Sequence, residues 1–438
     1  MKNKYNLTLI ITALAVADFL GAIDSTALNV ALPKITSTLH ISITTAQWLP
    51  NAFTLALVAL LIFMGKLGSK IGTKKLYLIG LGVFGISSLI LGFTNNIPLL
   101  ISLRAIQGIA TAILYTMPMI IIANLWKERE KAFAVTSATF AGGMLVGPVL
   151  GGMLANLDFG SFYGWHLVFL INVPLVIVGL IIAAKYIPEI PKVEQKIDFG
   201  SMLILSSALA IIVLSFAQIS RYYLILGALL LIVLYFYQRK IKNSLVDFHL
   251  FQNQTFTAAN VLSFTSMVSL IGMSFVLTFY LQDILKWNSL QAGLALIPVP
   301  VITGIFSGIG GQLKSWRVGG FLSAILILLG LAFLTRIDPS VSYAAGILPG
   351  LALVSAGSGF LMTSIFAAII GSAPTENSGS ASGILNTLQQ MGALIGIAII
   401  ASITLEYRLA FTVLTGCGII GLISAFFIKN RQINTRIE

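Results

Sequence analysis

Charge is what this sequence has least of. Asp, Glu, Lys and Arg make up 9% of its 438 residues, against roughly 25% in an ordinary soluble domain, and that shortage excludes a water-facing globular surface. A lone cysteine, Cys417, excludes an internal disulfide framework and a cysteine metal cluster. The three histidines, His40, His166 and His249, fall at expected loops or helix ends, where a structural or solvated role is the simpler reading. No metal or other cofactor is expected. The phosphate-loop pattern Gly-x-x-x-x-Gly-Lys-[Ser/Thr] is also missing, so ATP hydrolysis is not expected and any energy-driven step would draw on an ion gradient.

What is present is apolar sequence. Hydrophobic residues reach 57%, the mean hydropathy is +0.98, and apolar runs recur every 25–30 residues from end to end. The short alternating segments of a membrane barrel are absent. The fold class is therefore an all-α membrane protein embedded in a lipid bilayer. Fourteen spans are expected, at 7–33, 46–65, 76–93, 98–124, 133–157, 166–187, 200–219, 222–238, 256–282, 290–313, 318–335, 341–371, 378–403 and 407–428. Lys2 and Lys4 lead into a run too long for a cleavable leader, so the first helix is expected to stay as an anchor.

An even span count puts both termini on one side. Of the 26 Lys and Arg residues, twenty then share that side, among them Lys66, Lys70, Lys74, Lys127, Lys192, Lys240, Lys314 and Lys429. The other side holds five, Lys34, Arg221, Lys286, Arg336 and Arg408, and Arg104 lies within a span. Basic loops face the cytoplasm, so both termini are expected there, with the chain in the cytoplasmic membrane. The same asymmetry accounts for the net charge of +12 without a nucleic-acid partner. No loop is long enough for a soluble domain. A six-helix bundle over 1–187, two inserted helices over 188–255 and a second bundle over 256–438 are expected, in a monomer.

The first span carries two carboxylates, Asp18 and Asp24, away from either end. A charge at membrane depth costs a few kcal/mol, so such residues face a cavity or a partner and mark an ion or substrate path. A purely structural ion pair, or an acid bonded to a neighbour, is the plainer alternative. Arg104 in the fourth span, with Gln107 and Gly108 one turn on, needs an anion or water. From span midpoints near residues 20 and 111, Asp24 lies ~6 Å and Arg104 ~10 Å outward, so they can meet. Asp18 sits near the midplane, turned ~120° from Asp24, which permits separate roles for the two acids.

The fifth span contains Gly143-Met144-Leu145-Val146-Gly147-Pro148-Val149-Leu150-Gly151-Gly152. Glycines four apart let another backbone approach, and Pro148 removes a donor; a gate or a rigid packing seam would look the same. Pro118, Pro298 with Pro300, and Pro349 interrupt other spans, mostly as ordinary kinks. Gly65-Lys66-Leu67-Gly68-Ser69 after the second span is echoed by Gly311-Gln312-Leu313-Lys314-Ser315 after the tenth, consistent with duplicated halves.

Taken in order, these stretches resemble the fourteen-helix drug/proton antiporter branch of the major facilitator superfamily. Asp24-Ser25-Thr26-Ala27-Leu28-Asn29-Val30-Ala31-Leu32-Pro33 is similar to that branch's first-helix signature, and Leu100 to Gly108, with Arg104 and Gln107, to the superfamily's fourth-helix motif. Gly143 to Gly152 resembles its antiporter motif. Phe169-Leu170-Ile171-Asn172-Val173-Pro174 resembles its sixth helix, and Leu250-Phe251 through Phe256 to Asn260 the lead-in to its ninth. Gly65, Lys70, Gly72 and Lys74 match the basic loop motif, although Ser69 stands where an aspartate is usual and the cytoplasmic latch is expected to differ. Some relatives carry acids in the thirteenth helix; here Asn386-Thr387-Leu388-Gln389-Gln390 is neutral.

The resemblance implies export of amphipathic, often cationic, drugs in exchange for protons. Asp24, Asp18 and Arg104 are the expected coupling residues. Asp18, Trp48, Phe53, Gln107, Phe140, Asn386 and Gln390 are the expected substrate residues, with Phe360 a further aromatic candidate. An exporter dedicated to one endogenous metabolite, lipid or signalling molecule is the alternative. A sensor or scaffold without flux is disfavoured by the short loops.

Overall fold

The computed structural model describes residues 6–155, 157–160, 162–192, 198–216, 221–238, 247–287, 289–338, 340, 342–401 and 407–430. Lys2, Lys4, Lys196, Arg239, Lys240, Lys242, Arg431 and Arg436, which entered the charge count, lie outside them. Among the described residues the regular structure is helical, apart from one antiparallel bridge between Phe159 and Phe162. In chain order the helices are α1 (Leu7–Leu39), α2 (Ile43–Ile71), α3 (Thr73–Leu91), α4 (Ile97–Leu125), α5 (Arg129–Ala155), α6 (Trp165–Tyr186) and α7 (Phe199–Phe216). They continue as α8 (Arg221–Gln238), α9 (Gln254–Gln282), α10 (Gln291–Gly310), α11 (Trp316–Leu334), α12 (Leu348–Ser372), α13 (Ser378–Ala401) and α14 (Tyr407–Ala425). Eleven of these are long and apolar enough to cross a membrane; α7 and α8 are apolar over the shorter stretches 199–212 and 225–238.

Several helices change pitch along their length, two of them where proline removes a donor. In α6, Pro174 has no N–H to offer Leu170, and the helix is interrupted at Ile171 between Trp165–Leu170 and Asn172–Tyr186. Pro298 begins a new helical run after a turn at Ile297 in α10. In α12 a π-helical turn, Leu361–Ile365, links two α segments. The expected end of α1 at Pro33 was too early, since the helix runs through it to Leu39. Thr36 and Thr38 hydroxyls donate to the carbonyls of Leu32 and Lys34 there, and His40 closes the helix in the left-handed region at φ 51°.

The chain forms two compact units. The first takes α1–α4, α5 from Thr139 onward, α6–α8 and residues Ser378–Thr387 at the start of α13. Its core gathers Ile23, Leu28 and Ile35 of α1 with Leu103 of α4 and Trp165 and Phe169 of α6. The pair α7–α8 belongs to this unit: Ser206 donates to the Ala59 carbonyl at 2.7 Å, and the Phe63 and Phe199 rings lie 6.1 Å apart. The second unit takes residues 126–138 at the start of α5, α9–α12, the rest of α13 and α14. Its core joins Met273 and Leu277 of α9, Leu331 of α11, Leu351 of α12 and Phe411 of α14.

The two echoed loops are built alike. In the first unit the glycine-rich end of α2 receives the start of α13, with Gly65 against the Gly379 carbonyl. In the second, Gly311 beyond α10 receives the start of α5, where an added Cβ would lie 2.6 Å from Ala134 Cβ. Trp316 Nε1 donates to the buried Glu130 at 2.8 Å in the same place.

Candidate functional site

The first unit encloses a buried ion pair. Asp24 of α1 and Arg104 of α4 are each 1% exposed, and Arg104 Nη1 donates to Asp24 Oδ2 at 2.6 Å. The guanidinium is held from every side: Nη1 also reaches Gln107 Oε1 at 2.7 Å, and Nε reaches the Leu49 carbonyl at 3.4 Å. The rings of Phe53 and Phe169 lie 4.5 and 5.9 Å from its central carbon. Gln107 Nε2 in turn donates to Ser88 Oγ of α3 at 2.7 Å. Asn172 Nδ2 donates to the second carboxylate oxygen, Asp24 Oδ1, at 3.2 Å.

The expected site residues divide into four places. Phe53 and Gln107 are enclosed in the Arg104 shell. Asp18 lies apart from that shell: it is partly exposed and, among the described residues, makes no hydrogen bond or ion pair. It is within electrostatic reach of Tyr77 and Tyr115, and Tyr115 also senses Asp24. Tyr115 is half-buried, lies beside Gly21 of α1, and meets the Phe140 ring edge-on at 6.3 Å. Asn386 reaches the same helix, its Nδ2 lying 3.4 Å from the Tyr115 carbonyl and 3.0 Å from that of Ser382. Trp48 is 37% exposed at the start of α2. In the second unit, Gln390 is half-buried, and Phe360 packs on Phe306 with ring centres 5.6 Å apart.

The glycine motif of α5 lies on α1. A Cβ at Gly143 would come 2.7 Å from Ala22 Cβ, one at Gly147 would collide with Thr26 Oγ1, and one at Gly151 would sit 2.5 Å from the Ala27 carbonyl. Gly152 sits at the edge of this seam, near Val30, and Pro148 is exposed. The motif therefore packs α5 directly on the segment of α1 that carries Asp24.

In the loop motif, Gly72 alone separates α2 from α3, at φ +114°, a backbone conformation that suits glycine. Ser69 donates to the Gly65 carbonyl at 3.3 Å, beside Gly379; Lys70 is exposed and Lys74 half-exposed. Among the described residues no group of His, Cys, Asp and Glu could hold a metal ion.

Asn172, noted only as part of the sixth-helix stretch, and Ser88 join the ion-pair network without being among the expected site residues. A lone asparagine inside an apolar run was the available signal for the first, and nothing marked the second.

A family model described as Major Facilitator Superfamily matches residues 14–397. The chain is 28% identical over 415 residues to the riboflavin transporter RibZ of Clostridioides difficile, covering 92% of this chain and 88% of that one. It is 30% identical over 412 residues to the methyl viologen resistance protein SmvA of Salmonella typhimurium, covering 90% of this chain and 81% of that one. The crystal structure of the human organic anion transporter MFSD10 superposes with a TM-score of 0.73 at 15% identity, over 96% of this chain and 99% of that one, a likeness of fold.

Proposed function

Because the chain belongs to the Major Facilitator Superfamily, whose members are membrane transporters and not enzymes, we propose that it is a proton-coupled antiporter. Its cargo in this reading is amphipathic, often cationic, drug-like molecules, exported across the cytoplasmic membrane by exposing a site to either side in turn. The observation that carries the proposal is the Asp24–Arg104 pair, closed at 2.6 Å inside lipid-embedded helices, with a second, partly exposed carboxylate six residues away at Asp18.

A proton arriving at Asp24 releases Arg104, which keeps Gln107, the Leu49 carbonyl and the Phe53 ring as partners. Asp18 lies within electrostatic reach of Tyr115, whose ring meets that of Phe140, and aromatic faces of this kind receive flat cations. Asn386 reaches the same helix beside Tyr115. Competition of proton and cargo for the two acids yields exchange. The glycine seam lets α1 and α5 shift against each other with little steric resistance, a gating role for Gly143, Gly147, Pro148, Gly151 and Gly152. Ser69, Lys70 and Lys74 serve the cytoplasmic loop.

In this reading α7, α8 and α13 complete fourteen spans beside the eleven long apolar helices. With fourteen spans and the basic loops inside, both termini would lie in the cytoplasm, as in the fourteen-helix branch. A relative named for resistance to methyl viologen, a flat dication, supports a cationic cargo. A relative named as a riboflavin transporter supports the second reading, an exporter dedicated to one metabolite.

The test is uptake into vesicles that hold the purified protein, driven by an imposed pH gradient. The panel contains cationic, zwitterionic and neutral dyes together with riboflavin. Accumulation of several cations, lost on collapsing the gradient and in Asp24→Asn, supports the drug antiporter. Accumulation of a single neutral metabolite supports the dedicated exporter, and no gradient-driven uptake of any compound contradicts both.

A further inference from the structure

We propose that Asn172 is a positioning residue that serves Asp24 in both protonation states, donating to the carboxylate and accepting from the acid. This rests on the reading of Asp24 as the proton carrier. Asn172 is fully buried; its Nδ2 donates to Asp24 Oδ1 at 3.2 Å, while its Oδ1 is buried without a donor. An orphaned buried acceptor is costly and uncommon, and asks for an explanation.

Protonation of Asp24 supplies one. The ionised carboxylate accepts Arg104 Nη1 on Oδ2 and Asn172 Nδ2 on Oδ1. When a proton from the acidic side binds Oδ1, that oxygen becomes a donor and needs an acceptor. Arg104 has none to give. Gln107 Oε1 already accepts from Arg104, and the hydroxyl of Thr26 is bonded back to Ala22. A half-turn of the Asn172 amide about its Cβ–Cγ bond exchanges Nδ2 for Oδ1 and presents the waiting acceptor. When the proton leaves for the other side, the amide turns back; no electron moves. Asn172 opens the second segment of α6, directly after the interruption at Ile171, where the backbone ladder is already broken.

The titratable and charged groups around Asp24 are few. Arg104 and Tyr115 face it from α4, and Asp18 lies six residues earlier on α1, with Tyr77 of α3 in its reach. Among the described residues of this unit α2 and α6 bring no charged side chain to the carboxylate, since Lys66, Lys70 and Lys185 sit at the far helix ends. α5 from Thr139 onward carries none, and His166 of α6 is bonded to Tyr163 and Asn95.

Infrared difference spectra of the reconstituted protein between neutral and acid pH test this directly. The wild type should gain a carboxylic-acid C=O band that Asp24→Asn lacks, together with a shift of an asparagine amide C=O band, assigned with isotope-labelled asparagine. In Asn172→Leu the asparagine shift should vanish and the acid band should move to higher frequency, because its O–H is no longer received. Asn172→Gln, which keeps the amide, should restore the lower frequency and decides the matter if the leucine variant does not fold. An acid band at the wild-type position in Asn172→Leu, or no asparagine shift in the wild type, would overturn the inference while leaving Asp24 as the carrier. Absence of any acid band sensitive to Asp24→Asn removes the carrier itself, and the inference with it.

Discussion

Replacing Arg104 by glutamine should be among the costliest single changes in the first unit. Both partners of the ion pair are 1% exposed. Losing the guanidinium strands the Asp24 carboxylate and withdraws the donor that Gln107 Oε1 receives. Removing one member of a buried pair costs about 3–5 kcal/mol. Asp24→Asn should cost less, about 1–3 kcal/mol, because Arg104 keeps Gln107, the Leu49 carbonyl and the Phe53 ring. The double variant Asp24→Asn with Arg104→Gln places two amides face to face and leaves no stranded charge. Its loss should fall short of the sum of the singles by about 0.5–3 kcal/mol, the range typical of directly coupled sites. Thermal unfolding of the detergent-purified protein, followed by tryptophan fluorescence and by retention of the monodisperse peak, reads the order. Additive losses, or an Arg104→Gln variant as stable as the wild type, would refute a charge pair that matters to the fold.

Three further outcomes follow from the geometry. Gly151→Val should cost about 1–3 kcal/mol and abolish gradient-driven transport in protein that still folds, since its Cβ would sit 2.5 Å from the Ala27 carbonyl; retained transport would contradict the seam. Gly72→Ala should lower the melting temperature, as φ +114° strains a residue bearing a Cβ by about 1–3 kcal/mol, whereas Gly142→Ala, with open space around it, should not. Asp158 lies in the loop after α5, where the Gly164 N–H at 2.9 Å, and then Lys34 at 2.6 Å, hold its carboxyl below the ordinary range. A depressed carboxyl stabilises above its unfolded value, about 3.9, and that stabilisation is lost as pH falls through the folded value. Asp158→Asn should therefore melt earlier than the wild type at neutral pH, and the difference should disappear in strong acid.

Apolar runs made most helices legible before any coordinates. The span expected over 166–187 is α6 at Trp165–Tyr186, because hydropathy reports which residues tolerate lipid. It reports less well where a helix leaves the apolar zone. Beyond Pro33, α1 continues through Lys34, Thr36 and Thr38, held by hydroxyl-to-carbonyl bonds and by the Lys34–Asp158 pair, none of which is apolar. Hydropathy likewise placed the expected 341–371 span too early: Tyr343–Gly346 forms a separate turn, and α12 begins at Leu348 with Pro349 in its first turn, where a missing N–H is harmless.

The meeting of Asp24 with Arg104 was legible from depth alone, since helical rise fixes how far each lies from its span's middle. The shell around them was not. Phe53, Ser88 and Asn172 come from three other helices, and their approach to Arg104 and Asp24 depends on helix rotation and packing, which a single sequence does not encode locally. Phe53 and Gln107, expected as cargo contacts, lie against the guanidinium. Tyr115, half-buried between Gly21 and Phe140, carried no sequence signal beyond being aromatic.

The central claim is that a proton crosses by way of Asp24 as cargo crosses in exchange. The most direct measurement loads vesicles holding the purified protein with a pH-sensitive dye and adds a cationic substrate with no gradient imposed. The wild type should move protons opposite to the cation, with the internal pH changing in step with uptake, and Asp24→Asn should show no substrate-driven pH change. Substrate-driven proton movement of wild-type size in Asp24→Asn would contradict the account.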